Sequence, residues 1–176
     1  MRLHAIVTLA DLTALVREAT PLRISLKENG RRWIELEPPS EVSLIRGRGA
    51  QVITSGHMQL DAVAVRIKEL KLMLTPSLLP PAQLVFKLAV ERLDVAYVPG
   101  VIEEALLPTV NAALAPIAAR LAWNFGKTLH ASLRIPPRLE PLQRFELAVD
   151  SAKVDVDEER LQLTVDLSTS LTRSEG

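Results

Sequence analysis

Alternation of apolar and polar residues over most of the chain predicts β-strands that bury one face each. The first alternating run, residues 3 to 8, is followed by Leu12 and Val16 at helical spacing. Thr8 and Asp11 stand where a helix needs side-chain caps for its first backbone N–H groups. The pattern therefore predicts a short strand and then a short amphipathic helix.

Turn-forming residues divide the next alternating runs into hairpins. Asn29-Gly30 favours a two-residue hairpin turn, because both positions accept positive φ angles. We interpret residues 46 to 49 as a loop, Ser55-Gly56 as a second turn, and residues 157 to 160 as a charged turn between the last two strands. A long extended run is then predicted from residue 57 to residue 75.

Two long neighbouring runs change the phase of their alternation once. In the first, the inward apolar positions are odd as far as Ile67 and even from Leu70. In the second, they are even as far as Val90 and odd over the stretch Leu93 to Tyr97. Because a one-residue slip would turn the core face outward, each change predicts a β-bulge. Bulges at comparable places in adjacent strands predict a strongly curled sheet.

One long segment, residues 101 to 125, has helical periodicity instead. Pro99 precedes it and suits a helix N-terminus, as does the acidic Glu103 in the first turn. Its flanks are mostly alanine, so the predicted helix is apolar on nearly all sides and needs cover on more than one side. Pro108 and Pro116 each remove one backbone hydrogen bond and predict kinks, which would let the helix follow a curved wall.

The composition makes the interior aliphatic and the overall charge balanced. Apolar residues are 48% of the 176 residues and aromatic residues only 3%, while Lys plus Arg and Asp plus Glu both number 21. A net charge of zero gives no long-range field that attracts nucleic acid, so no nucleic-acid partner is expected. The absence of cysteine excludes disulfides, thiolate metal sites and a thiol nucleophile.

Residues that could carry chemistry are scattered along the chain. His4, His57 and His130 have no second ligand at metal-binding spacing, so no metal ligand and no cofactor are assigned. The acidic residues 155 to 159 lack the central glycine of a calcium loop, and we interpret them as a solvated hairpin tip. Residues 46 to 49, Arg-Gly-Arg-Gly, are interpreted as a flexible basic loop, with an anion or lipid-headgroup contact as the alternative.

A curled sheet around an aliphatic helix leaves a lumen unless bulky side chains fill it. Such a lumen suits acyl chains, because each buried CH₂ group contributes about 0.8 kcal/mol and about a dozen carbons contribute on the order of 10 kcal/mol before ordering costs. The candidate ligand-binding residues are the inward apolar positions of the predicted elements: Leu12, Val16, Val63, Val65, Ile67, Leu84, Phe86, Leu88, Val90, Ile102, Leu106, Val110, Leu114, Ile117, Leu121 and Phe125.

The order of elements resembles the tubular lipid-binding (TULIP) superfamily over nearly the whole chain. The resemblance rests on the long helix, entered at YVPGVIEEALLPTVNAALAPIAARL (residues 97–121), and on the closing strands FELAVDSAKVDVDEERLQLTVDL (residues 145–167). The early amphipathic helix and the bulged strands complete it. The resemblance implies a small bacterial member of that superfamily, with a bent sheet rolled around helices and lipid tails held between them.

These observations predict a single α+β domain, residues 1–176. A long, strongly curved antiparallel sheet would wrap around a long kinked helix in the C-terminal half and a short N-terminal helix. The expected function is non-enzymatic binding or transport of a lipid or fatty-acid-like apolar ligand. Ser55 lacks the glycine pattern of a nucleophile elbow, and no catalytic residue is assigned.

Other functions, partners and locations stay open at this point. One alternative is a structural or adaptor protein that associates with a partner through a sheet edge or an apolar surface, and another is an enzyme acting on a lipid-like substrate. A transient membrane contact and a homodimer are compatible with the sequence. No uninterrupted apolar run of about 18 residues occurs, so no spanning helix is expected. Without a signal peptide, the expected location is the cytoplasm, or the periplasm if an export signal was removed.

Overall fold

The computed structural model describes residues 1–26, 32–60, 62–80, 82–136, 138 and 142–173. These residues form strands and helices in the following order: β1 (Arg2–Thr8), α1 (Leu9–Ala19), β2 (Leu22–Ser25), β3 (Arg32–Leu36), β4 (Glu41–Ile45), β5 (Gly49–Leu60), β6 (Val63–Leu79), β7 (Gln83–Val95), α2 (Gly100–Arg120), α3 (Phe125–Thr128), β8 (Ala131–Arg134), β9 (Leu142–Val156) and β10 (Arg160–Arg173). The predicted Asn29-Gly30 turn lies outside the described residues.

The protein has an α+β fold in which antiparallel strands dominate. Its strands form two curled, half-barrel sheets. Sheet A has the order β1-β10-β9-β8, and sheet B has the order β2-β3-β5-β6-β7, with β4 also paired to β5. The prediction of one continuous sheet is therefore corrected to two. Hydrophobic alternation identifies strands, but it does not specify which strands pair.

Both predicted changes of phase in sheet B are confirmed as bulges. In the pairing of β6 with β7, Ile67 faces Val95 and Glu69 faces Asp94, so Lys68 is the extra residue of β6. Further along, Lys71 faces Arg92 and Leu72 faces Val90, which leaves Glu91 as the extra residue of β7. The bulges restore the inward position of the apolar residues on either side.

The predicted turn at Ser55-Gly56 is wrong. Strand β5 runs through this dipeptide, and the chain reverses only between Leu60 and Val63. The dipeptide instead marks a shift of register between β5 and β6. Gly56 is needed there because a Cβ atom at this position would lie 2.1 Å from the carbonyl oxygen of Glu35 on β3. The glycine signal thus reports a close approach of two strands.

Helix α2 is shorter than predicted. It ends at Arg120 instead of continuing to Phe125, and a separate helix, α3, begins at Phe125. Between them, the backbone of Trp123 exchanges hydrogen bonds with the backbone of Leu84 at 2.8 and 2.9 Å. This exchange ties the segment to β7, so the chain cannot continue as a helix. Pro108 and Pro116 lie inside α2, and the kinks stay a prediction.

Side chains of α2 cap the outer edge of β7. The Val90 N–H donates to Asn111 Oδ1 at 2.6 Å, and Asn111 Nδ2 donates to the Val90 carbonyl at 3.3 Å. The Val95 N–H donates to Glu103 Oε1 at 2.6 Å. These contacts pair backbone groups that would otherwise be exposed along the edge of sheet B. They also fix α2 lengthwise along that edge.

Buried apolar side chains form two clusters. The larger lies between α2 and sheet B, where Val110 and Leu114 pack among residues that include Ile34, Met58 and Ile67. The smaller joins the two sheets through residues of β7, α3 and β10: Leu84, Phe125, Leu163, Val165 and Leu167, with Ala82. The interior thus has one centre under α2 and another between the sheets.

Helix α2 is covered on one side only. Val110, Leu114 and Ala118 are its buried residues, whereas Val101 is 80% exposed. Among the described residues, α2 is the one helix long and apolar enough to cross a membrane by length and composition, and 17% of its most apolar stretch is buried. This qualifies the expectation from the sequence that no helix could span a bilayer.

Candidate ligand cavity

Two apolar cavities adjoin each other beneath α1. The first, which we name the inter-sheet cavity, has a volume of about 350 Å³. Its lining is Ala5, Val7, Leu12, Leu15, Leu44, Ala50, Leu74, Leu84, Phe86, Leu121, Trp123, Leu161 and Leu163. These residues come from both sheets, from α1 and from the segment that follows α2.

The second, which we name the inter-helix cavity, has a volume of about 360 Å³. Its lining is Leu15, Val16, Ala19, Thr20, Leu22, Leu36, Glu37, Pro39, Val52, Thr54, Leu72, Leu74, Leu88, Ile117 and Leu121. Leu15, Leu74 and Leu121 line both cavities. The shared side chains place the two hollows next to each other, along the inner face of sheet B.

Strand residues form the floor of both cavities. Leu44, Ala50 and Leu163 are at most 4% exposed in the inter-sheet cavity, and Leu36 and Leu72 are buried in the inter-helix cavity. Each belongs to an alternating run, so the strand pattern directs it inward. The floor is therefore aliphatic and held by the backbone hydrogen bonds of the sheets.

Helix α1 forms the roof, and it is amphipathic without burying any residue. Thr8 and Asp11 form a capping box: the Asp11 N–H donates to Thr8 Oγ1 at 3.2 Å, and the Thr8 N–H donates to Asp11 Oδ2 at 3.0 Å. The hydrogen bonds from the Thr8 hydroxyl and the Thr8 N–H hold the pKa of Asp11 below its usual value. The cap fixes the start of α1 at the end of β1.

Three apolar side chains mark where the cavities open to solvent. Leu15 is 58% exposed, Leu121 is 45% exposed and Trp123 is 39% exposed, although each lines a cavity. The opening therefore lies between the middle of α1 and the end of α2. A ligand could enter there without unfolding either sheet.

The polar residues that line the inter-helix cavity are Thr20, Glu37 and Thr54, and their side chains bond within the protein. Thr54 Oγ1 donates to the Glu37 carbonyl at 2.6 Å, and Thr20 Oγ1 donates to the Val16 carbonyl at 3.2 Å. The Glu37 carboxylate accepts a hydrogen bond from the Ser55 hydroxyl and lies 3.6 Å from His57 Nδ1. Among the described residues, no buried side-chain N or O atom lacks a partner. The buried polar side chains that border the cavities thus have their partners within the protein, among the described residues.

The structure brings seven of the predicted ligand-binding residues to the cavities and distributes the rest elsewhere. The seven are Leu12, Val16, Leu84, Phe86, Leu88, Ile117 and Leu121. Others pack in the two clusters, fully or partly buried: Val65, Ile67, Val90, Leu106, Val110, Leu114 and Phe125. Val63 and Ile102 are 57% and 50% exposed. The periodicity identified inward positions, but it did not separate packed from cavity-lining ones.

Sequence reasoning missed lining residues in the first and last strands. Ala5 and Val7 of β1 and Leu161 and Leu163 of β10 line the inter-sheet cavity. In the β1–β10 pair, Ala5 faces Leu163 and Val7 faces Leu161. Their alternation was a signal for strands, but only the pairing of the two ends of the chain places them opposite sheet B.

Candidate groups outside the cavities form ordinary surface contacts. Arg46 lies 3.9 Å from Glu158, and Arg48 pairs with Glu91, so neither arginine of the predicted basic loop lacks a carboxylate partner. Within the described part of the chain, no group of three or more His, Asp or Glu residues could hold a metal ion. The apolar cavities are therefore the strongest candidate site.

Comparisons of the chain with protein-family models, with curated proteins and with solved structures give no match in any of the three.

Proposed function

We propose that the protein binds a lipid or another apolar ligand with a single alkyl chain in the two adjoining cavities. The observation that carries this proposal is a hollow with an aliphatic floor and satisfied polar groups, open beside Leu15 and Leu121. Each cavity falls within the roughly 300 to 1,000 Å³ that small-molecule sites occupy. The residues proposed to contact the ligand are the seven named above together with Leu15 and Leu74.

The free energy of transfer favours a hydrocarbon over a polar ligand. Each CH₂ group moved from water to this lining contributes about 0.8 kcal/mol. A polar group in the same place would lose its hydrogen bonds to water without replacement, at a cost of roughly 1 to 3 kcal/mol. The ligand headgroup, where there is one, would stay at the opening.

As part of the proposal, we also infer a likeness to the TULIP superfamily. In the proposed arrangement of this protein, the curled sheets form a curved wall, and α1 and the end of α2 close the hollow between them. Lipid carriage follows from that likeness, with the protein releasing its ligand to a membrane or another acceptor.

A second candidate function is self-association through sheet A. Leu133 of β8 faces Phe145 of β9, which faces Leu171 of β10, and Leu133 and Leu171 are 61% and 57% exposed. This apolar row could join two copies. Light scattering over a micromolar dilution series tests it, since a monomer throughout would remove this candidate.

The ligand-binding proposal is tested by filling the cavities. Leu15→Trp combined with Leu74→Trp places bulk at two of the three positions that line both cavities, and Leu133→Trp is the matched control on sheet A. Titration with a fluorescent long-chain fatty alcohol should give one saturable site in wild type and control, and affinity weaker by at least about tenfold in the double variant. Thermal melts show whether each variant is folded. Equal affinity in a folded double variant, or no binding by wild type, would refute the proposal.

A further inference from the structure

The connection from β7 to α2 exposes the single tyrosine of the chain in an unusual conformation. Tyr97 is fully exposed and has a φ angle of 64°, which non-glycine residues rarely adopt. The sequence predicted it to face inward, but β7 ends at Val95. The Ala96 N–H donates to the Arg66 carbonyl at 2.8 Å, which holds the turn against β6. The turn directs an aromatic ring into solvent at a cost in backbone strain.

Other large apolar side chains are exposed beside Tyr97. Val101 is 80% exposed and Ile102 is 50% exposed in the first turn of α2. Val63, at the start of β6, is 57% exposed. Because Ile67 of β6 pairs with Val95 of β7, the start of β6 and the end of β7 lie at the same end of sheet B. This end of sheet B therefore carries several exposed apolar side chains.

The outward face of α2 continues this surface with small apolar residues. Its exposed members are Ala105, Pro108, Ala112, Ala115, Pro116 and Ala119, with Thr109 among them. The exposed charged residues of α2 are Glu104 and Arg120, near its two ends. Helix faces that meet water normally carry charges, whereas helices that lie in a membrane interface bury an apolar face to a shallow depth. At 1.5 Å per residue, this face is roughly 30 Å long.

We propose that the protein docks on a phospholipid bilayer through Tyr97, Val101, Ile102 and the outward face of α2. This proposal rests on the proposed function, since a ligand with an alkyl chain is drawn from or delivered to a membrane. Tyrosine at the edge of the surface suits the headgroup region, where aromatic residues with a polar tip are enriched. The C-terminal end of α2 leads to Leu121 and Trp123 at the cavity opening, so docking brings that opening close to the lipids.

The charge of this surface determines which lipid composition of a bilayer it should bind. Glu104 and Arg120 balance each other, and the apolar residues between them offer no complementary charge to a charged partner. Docking therefore depends on apolar insertion, and we expect it on neutral phosphatidylcholine. Added phosphatidylserine should change it little, and so should high salt, because screening weakens only electrostatic attraction.

Flotation of the full chain with phosphatidylcholine vesicles tests the proposal. Tyr97→Ser combined with Val101→Asp should weaken vesicle binding by at least about tenfold, while Ile6→Asp on β1, at a residue that is 48% exposed, serves as the control and should not. The altered side chains are exposed, and equal melting temperatures check that each variant folds. Unchanged vesicle binding in the double variant, no binding by wild type, or binding that requires phosphatidylserine would overturn the proposal.

Two further measurements separate this proposal from its alternatives. The Tyr97→Ser, Val101→Asp variant should still bind the fluorescent alcohol in solution, so loss of vesicle binding alone identifies docking. If wild type fails to bind the alcohol but floats with vesicles, docking holds and ligand binding fails. If light scattering instead shows a wild-type dimer that this variant separates, a second copy covers the surface and the docking proposal is wrong.

Discussion

The half of the interior under α2 is packed, whereas the half under α1 is hollow. Both halves are built from the same types of aliphatic side chain. Under α2, Val110 and Leu114 are each 2% exposed and fill the space above sheet B. Under α1, Leu15 remains 58% exposed and the side chains below it leave two cavities. The comparison indicates that similar aliphatic side chains either pack tightly or leave cavities, depending on the helix that covers them.

The two helices also differ in how they are held. Asn111 and Glu103 bind α2 to the backbone of β7. Helix α1 has its own capping box at Thr8 and one backbone bond to its surroundings at its start, from the Leu9 N–H to the Glu159 carbonyl at 2.8 Å. We therefore expect α1 to open more readily than α2, as entry of a ligand requires.

The largest expected effect is a loss of stability when a side chain is removed from the packed half. Leu114→Ala removes a fully buried side chain and should lower the free energy of unfolding by about 2 to 5 kcal/mol. Leu12→Ala, in the lining of the inter-sheet cavity, should lower it by less than about 1 kcal/mol, because its neighbours already leave space. Urea unfolding of both variants measures the difference. Equal losses would mean that the two halves are packed alike.

A smaller effect should follow from releasing α2 from its strand. Asn111→Leu removes the side-chain partner of both Val90 backbone groups and should lower the free energy of unfolding by about 1 to 3 kcal/mol. Asn124→Ala is the control, since Asn124 caps only the short α3 by accepting from the Lys127 N–H. Chemical denaturation compares the two. A larger loss from Asn124→Ala would contradict this account of how α2 is anchored.

A local effect is expected at the start of α1. Thr8→Ala removes the cap and should destabilise α1 by about 1 kcal/mol. Because α1 buries no residue, the loss should appear as faster amide exchange within α1 and hardly in the global unfolding transition. Thr8→Ser keeps the hydroxyl and should restore wild-type exchange. A matching fall in global stability would show that α1 is part of the core.

The smallest effect is a dependence of α1 on pH. Hydrogen bonds from Thr8 lower the pKa of Asp11 in the folded protein. The ionised carboxylate thus stabilises the start of α1 fully above the unfolded pKa of about 3.9, and this contribution is lost as pH falls through the lower folded pKa. Amide shifts in α1 during an acid titration measure the loss. Asp11→Asn should remove this dependence, and an unaltered titration would contradict the assignment.

Local features of the fold could be predicted from the sequence because their causes are local. Changes of phase located the bulges at Lys68 and Glu91, and the Thr8 and Asp11 spacing located the start of α1. These features depend on residues that are close together in the sequence, so the sequence alone is enough to locate them. The coarse α+β class followed from the same patterns.

Long-range features could not be predicted in the same way. The end of α2 at Arg120 depends on backbone bonds between Trp123 and Leu84, which are far apart in sequence. The role of Gly56 depends on the approach of β3. The contribution of β1 and β10 to the lining of the inter-sheet cavity likewise depends on which strands face one another. Periodicity marks a residue such as Val90 as inward, but only the packing determines whether it borders a space.

Native mass spectrometry of protein purified without detergent tests most directly whether the cavities under α1 hold an apolar ligand. Wild type should carry one apolar adduct that organic solvent extracts, and the Leu15→Trp, Leu74→Trp variant should lack it. Leu133→Trp, with the same added bulk on sheet A, should keep it. The bare mass of the chain in all three proteins, with no adduct formed after incubation with a long-chain alcohol, would contradict the account.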